Sequence, residues 1–170
     1  MEYLPMQLHA LTARISGLSL VLVTLVLAPA LAAPRFTPSP DGQEISDSKT
    51  SLVWRRCAEG MDWKVNTCVN NAIFPNFFGA EARAKTAASS GKPWRLPTLK
   101  ELSSIVAVRE AEDGKAAIDP VAFPATPAAR FWSSSSVGRG YFMYVAFTEG
   151  SAGEGERNSP GAVRLVREGK

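Results

Sequence analysis

The sequence predicts an α+β domain with two helices packed on small antiparallel sheets. Three observations carry this. The stretch Lys92-Pro93-Trp94-Arg95-Leu96-Pro97-Thr98-Leu99-Lys100-Glu101-Leu102 sets prolines on either side of an extended tripeptide and follows it with a capping box. Phe77, Ala80, Ala84, Ala87 and Ala88 recur at helical spacing along one face. Tyr141, Met143, Val145 and Phe147 alternate with Phe142, Tyr144 and Ala146, the period of a strand that is apolar on both faces and therefore central.

Taken in order, the chain begins with Arg14 ahead of an apolar run from Ile15 to Leu31, then Ala30-Leu31-Ala32. A small-x-small site after such a run reads as a signal peptide over residues 1–32, cleaved after Ala32. The run is marginal for a membrane span, which needs about 20 apolar residues, and an uncleaved anchor is the alternative. Residues 33–42 carry several prolines and read as an extended, proline-rich leader to a domain over 43–170. Gln43–Asp47 and Ser51–Arg55 read as two short strands or one interrupted strand, with Ile45, Leu52 and Val53 buried.

A helix is expected from Gly79 to Ser90, stopped by Gly91. A second starts at Leu99, capped by Thr98 and Glu101, with Leu99, Leu102, Ile105 and Val106 on its apolar face. Arg109–Ala117 is charged and reads as an exposed connection. Asp119-Pro120 starts a turn that presents Val121 and Phe123 to the core. Arg130–Ser134, Tyr141–Phe147 and Ala162–Arg167 are the late strands. Glu149–Gly161, rich in Gly, Ser and Glu, reads as a long hairpin loop.

Composition excludes several function classes. The formal net charge is +3, with no basic run, so nucleic acid is not an expected partner. His9 is the single histidine and leaves with the signal segment. The mature chain then has no imidazole for a Ser-His-Asp triad or an ordinary zinc site, and no cofactor, metal or catalytic residue is expected. Cys57 and Cys68 are the only cysteines, and in an exported chain they should pair. Closing such a loop stabilises a fold by roughly 3 kcal/mol. A redox or copper-handling thiol pair is the rival reading.

Trp94-Arg95-Leu96-Pro97-Thr98 with Lys100-Glu101-Leu102 resembles the WRLPT-x-KEL signature of the DUF1566 family, which includes the C-terminal domain of a Legionella collagen-like adhesin. Leu52-Val53-Trp54-Arg55-Arg56-Cys57, Ile118-Asp119-Pro120 with Phe123-Pro124, Phe131-Trp132-Ser133-Ser134 and Val163-Arg164-Leu165-Val166-Arg167 resemble further motifs of that family in the same order. Departures are Thr50-Ser51-Leu52 at its usual TGL turn and Phe77 or Phe78 at its aromatic before the first helix. The resemblance implies a fold like C-type lectins and sulfatase-modifying factors, with the terminal strands brought together. It also implies structural roles for Trp54, Trp94, Arg95, Thr98, Glu101, Asp119, Phe123 and Trp132, with Arg95 binding loop carbonyls.

Three functions compete. An exported binding module for a carbohydrate or polyanionic surface component would use exposed aromatics and arginines. Trp63, inside the cysteine loop, and Arg130, Arg139, Tyr141 and Tyr144, near the ends of the late strands, are the candidates. A structural component of a bacterial envelope, in the periplasm, at the cell surface or secreted, would bind protein partners instead. An enzyme of the formylglycine-generating type would need two active-site thiolates late in the chain, and both cysteines here lie early. Calcium-dependent sugar binding lacks its signatures: Glu-Pro-Asn, Gln-Pro-Asp and Trp-Asn-Asp do not occur. Asp47, Asp62, Asp113, Glu149, Glu154 and Glu156 show no ligand-loop spacing.

Overall fold

The structure, a computed structural model, describes residues 33–107 and 115–169. The expected signal segment with His9, and the part of the charged connection that holds Arg109 and Asp113, lie outside these residues. Among the described residues no helix is long and apolar enough to cross a membrane.

Among the described residues, two helices and three small antiparallel sheets make up an α+β domain. The first sheet runs β1 (Phe36–Pro38), β2 (Glu44–Asp47), β3 (Leu52–Arg55) and, beside β3, the last strand β9 (Val166–Glu168). Here Trp54 pairs with Ile45 on one side and Val166 on the other. β4 (Asp62–Lys64) and β5 (Thr67–Val69) form a hairpin, and β6 (Arg130–Gly138), β7 (Tyr141–Ala146) and β8 (Ser151–Glu156) a meander with β7 central.

Both faces of β3 are buried, and they face different cores. Leu52 and Trp54 join Ile45, Leu102, Phe123, Phe131 and Phe147. Val53 points the other way, to Phe77, Ala84, Trp94, Trp132 and Leu165. Trp54, Trp94 and Trp132 are buried at 0%, 4% and 2% exposure. All three are core residues, as their motif positions imply.

The proline-rich leader is extended, as expected, but belongs to the domain. Phe36–Pro38 pairs with Ile45–Asp47, and Arg35 grips the buried Asp47 with two bonds of 2.9 and 2.8 Å. A third Arg35 bond, of 2.7 Å, reaches the Ser104 carbonyl. Burial works to raise the Asp47 pKa, but the hydrogen bonds from Arg35 and Thr50 outweigh it and hold the group below its usual range.

α1 (Phe77–Ala88) starts earlier than expected because Asn76, rather than the chain near Gly79, is its cap. The Asn76 side chain accepts from Gly79 N at 2.9 Å. Phe77, Ala80, Ala84 and Ala87 form its buried face, and Phe77 stacks on Phe142. α2 (Leu99–Ser104) has the expected capping box, with Glu101 N donating to Thr98 Oγ1 and Thr98 N to Glu101 Oε2. Thr98→Ala should lower the unfolding free energy by about 1 kcal/mol, read as a shifted denaturant midpoint at unchanged slope.

Three expectations need correction. Arg95 does not serve mainly loop carbonyls. It forms a bidentate pair with Glu101, both bonds 2.8 Å, and a further bond of 2.5 Å to Glu168 of β9. Leu96 O lies at a marginal 3.4 Å. The capping glutamate and the last strand therefore share one guanidinium. The hydrogen bond from Arg95 is the main cause of the lowered Glu101 pKa.

Val121 is 79% exposed, while Ala122 and Phe123 are buried. Asp119 Oδ1 accepts from both Val121 N and Ala122 N, and this tight turn throws Val121 outward. The carbonyls of Val121 and Ala122 then receive Arg56.

Part of the expected 149–161 loop is strand β8, registered along β7 from Tyr141↔Glu156 to Ala146↔Ser151. It has no apolar residue of bulk because rings from neighbouring strands cover it. A Cβ at Gly153 would fall 2.5 Å from Tyr144 Oη, and one at Gly155 2.8 Å from Trp132.

Candidate binding surface

The five candidate ligand residues lie in three places. Arg130 opens β6 opposite Ala146, and Arg139 sits in the β6–β7 turn at the far end. A nine-residue strand separates the two by roughly 25–30 Å at about 3.3 Å per residue. Trp63 lies elsewhere, in the β4–β5 hairpin.

At the near end, Arg130 and Tyr144 come together. The Arg130 guanidinium lies 5.2 Å from the Tyr144 ring centroid. Among the described residues it has no hydrogen-bond or ion-pair partner, and neither has the Tyr144 hydroxyl. Register explains the meeting: Trp132 pairs with Tyr144 and Arg130 with Ala146, so Arg130 and Tyr144 are diagonal neighbours across the ladder. They form the floor of a shallow depression of ≈ 530 Å³ whose lining includes Phe74, Thr148, Glu149 and Pro160. Phe74 is 47% exposed. Glu149 accepts from Thr148 and, at 2.7 Å, from Ser151, and the Thr148 bond is the first cause of its lowered pKa. The shelf thus presents a free guanidinium, a free phenol, an exposed ring and an oriented carboxylate.

Arg139 and Tyr141 make a different surface. Arg139 is exposed at φ +52° in the turn. The Tyr141 hydroxyl donates to Glu156 Oε1 at 3.1 Å, and its pKa is raised first by that bond and then by the charges of Glu156 and Glu154. Tyr141 therefore stands among carboxylates, a poor setting for a polyanion.

Trp63 is half-buried rather than an exposed platform. Arg56 lies 4.1 Å from its ring centroid, and a Cβ at Gly42 would come within 2.8 Å of the indole. The ring clasps the hairpin to the body and lines a separate polar cleft. Cys57, just past the end of β3, and Cys68, in the middle of β5, have Cα atoms 5.5 Å apart and form a disulfide that ties the hairpin to β3. The sequence does not announce this hairpin, because its turn residues Val65 and Asn66, at φ +46° and +66°, are not the Asn-Gly or Asp-Gly pair that marks such a turn. Among the described residues no group of three or more His, Cys, Asp or Glu side chains is placed to hold a metal ion.

Phe74, Thr148 and Glu149 are the shelf residues that sequence reasoning missed as a set. Phe74 belongs to an apolar cluster that reads as helix entry, Glu149 opens an apparent loop, and Thr148 falls between that loop and the strand before it. A family model described as the Lcl C-terminal domain matches residues 43–167. No curated protein and no solved structure matches the chain.

Proposed function

The chain belongs to the Lcl C-terminal domain family, and from that premise we propose that it is an adhesin-type, non-catalytic binding module of a bacterial surface or envelope. Its ligand is a carbohydrate bearing an anionic group. The observation that carries the reading is the Arg130 guanidinium over the Tyr144 ring, without an ion-pair or hydrogen-bond partner among the described residues. A carboxylate or sulfate would take the guanidinium in a bidentate pair, while a sugar ring would pack on Phe74 and the phenol would bind a hydroxyl.

Further features support the same picture. Two helices on small antiparallel sheets, with the last strand returned beside β3, agree with a C-type-lectin-like fold. An oxidised Cys57–Cys68 pair suits an exported protein and leaves no thiolate pair for formylglycine-type chemistry. The shelf favours one anionic group over a polyanion track, since Arg139 is far away and Tyr141 stands beside Glu156.

Affinity for sulfated, carboxylated and neutral glycans across a salt series tests the proposal. Arg130→Ala should weaken binding of the anionic glycan about tenfold, the worth of one charge-assisted pair. Wild-type affinity should fall as salt rises, and Arg139→Ala should change little. Equal affinity for neutral and anionic glycans with no salt dependence would remove the reading. Exposed Phe74 and Phe78, at 47% and 52%, favour a protein partner as the second reading, and pull-down from envelope extract is its test.

A further inference from the structure

We propose that the cleft beneath the β4–β5 hairpin is a second binding site, built for an uncharged polyhydroxylated ligand such as a neutral sugar. It is separate from the Arg130 shelf and does not rest on that reading. The cleft measures ≈ 380 Å³, within the size range of small-molecule sites. Its walls come from the β1–β2 turn, β3, the disulfide hairpin and the 90–94 loop.

Its charges are balanced and already engaged. Glu44 accepts from Lys92 on one oxygen and, at 2.6 Å, from Arg167 on the other. Glu59 accepts from Arg55 at 2.9 Å and faces Arg83 at 3.6 Å. Asp41 and Asp62, at the mouth, are held by neutral donors, Ser39 and Asn70. All four cations therefore turn to Glu44 and Glu59, two of them (Arg83 and Arg167) from outside the lining, while Asp41 and Asp62 meet neutral donors. Over the cleft and its rim these eight charges cancel, which leaves little net pull on an ion of either sign.

What remains is an array of unused donors and acceptors in fixed positions. Apart from Asp41 Oδ1, which accepts from both Ser39 Oγ and Gln43 N, each carboxylate oxygen keeps a lone pair, Lys92 has two further N–H groups, and Arg55 further guanidinium protons. Arg55 is itself steadied 5.1 Å from the Trp94 ring centroid. Hydroxyl groups are the complement of such a surface, because each can donate to a carboxylate while accepting from a cation. Ion pairing holds these groups in place before binding, so little ordering cost is left to the ligand. Trp63 on the wall supplies an apolar surface for the C–H face of a sugar ring. Burial works to raise the Glu44 pKa, but the hydrogen bonds from Lys92 and Arg167 outweigh it and hold that acceptor below its usual range.

The test is amide and indole NMR of the full chain titrated with D-glucose, D-galactose, D-mannose, N-acetylglucosamine and myo-inositol at roughly millimolar concentrations. At least one should give saturable shifts at the Trp63 indole N–H and the Asp62 and Lys92 amides, unchanged by added salt. Lys92→Met, whose parent side chain is 54% exposed, should weaken that binding about tenfold. It should leave the Arg130-dependent binding of an anionic glycan unchanged. No saturable shift for any of the five would overturn the proposal. So would shifts confined to Arg130 and Tyr144, or full affinity in Lys92→Met. Anionic-glycan binding that is unchanged by Arg130→Ala would strike the shelf reading and leave this one standing.

Discussion

Trp94→Ala is expected to lower the unfolding free energy by about 3–5 kcal/mol, the usual cost of emptying a large aromatic from a core. Trp94 is 4% exposed and packs with Val53, Ala84 and Leu96. Arg55 and Arg167 approach the ring to 5.1 and 5.3 Å. Truncation removes the apolar contact and also the ring over which two cations rest. The prolines flanking this corner hold its backbone, so the site has little freedom to collapse onto the void. Chemical denaturation measures the change, and a Trp94→Ala protein as stable as its parent would contradict this placement.

Replacing both cysteines, Cys57→Ala with Cys68→Ala, should cost about 3 kcal/mol, as loop-closure entropy returns to the unfolded chain. The sequence separation is 11, so the loop is short and the gain lies at the modest end. The loss should be felt first in the β4–β5 hairpin, whose other hold on the body is Trp63 against Arg56 and Gly42. Alkylation under denaturing, non-reducing conditions followed by intact-mass measurement checks the oxidation state. Finding two alkylated thiols, or equal stability with and without reductant, would refute the staple.

Features whose signals are local were legible in the sequence. The Trp94–Leu102 corner is written in two prolines and a capping box, and it folds as those residues dictate. The buried tryptophans, the central β7 and the return of the last strand were equally readable. β8 was not, because its burial is supplied by Tyr144 and Trp132 lying over Gly153 and Gly155. A strand that is covered by its neighbours' rings carries no periodicity of its own. Val121 was misplaced for a related reason: the Asp119 side chain sets the direction of the turn, and hydropathy does not encode direction.

The candidate site was legible only in part. In the sequence Arg130 and Tyr144 read as one group with Arg139 and Tyr141, all near strand ends. β6 is long, however, and its two ends are different surfaces. Phe74 and Glu149 reach the shelf through tertiary approach alone, which no spacing in the chain records.

The closing segment also sets an order of events in folding. Arg164 is fully buried and donates to the Arg55 carbonyl, 109 residues away. Joining points so distant along the chain costs roughly 4 kcal/mol of loop-closure entropy before any contact compensates it. The disulfide hairpin, the capped α2 and the β6–β8 meander close much shorter loops and can form first. Residues 162–166 then alternate between the cores, Ala162 and Val166 entering one and Val163 and Leu165 the other. They act as the stitch between two half-assembled bodies, so the rate-limiting step is expected to be their late arrival. A chain shortened before Val163 would keep its local folding signals and lose the segment that joins the halves.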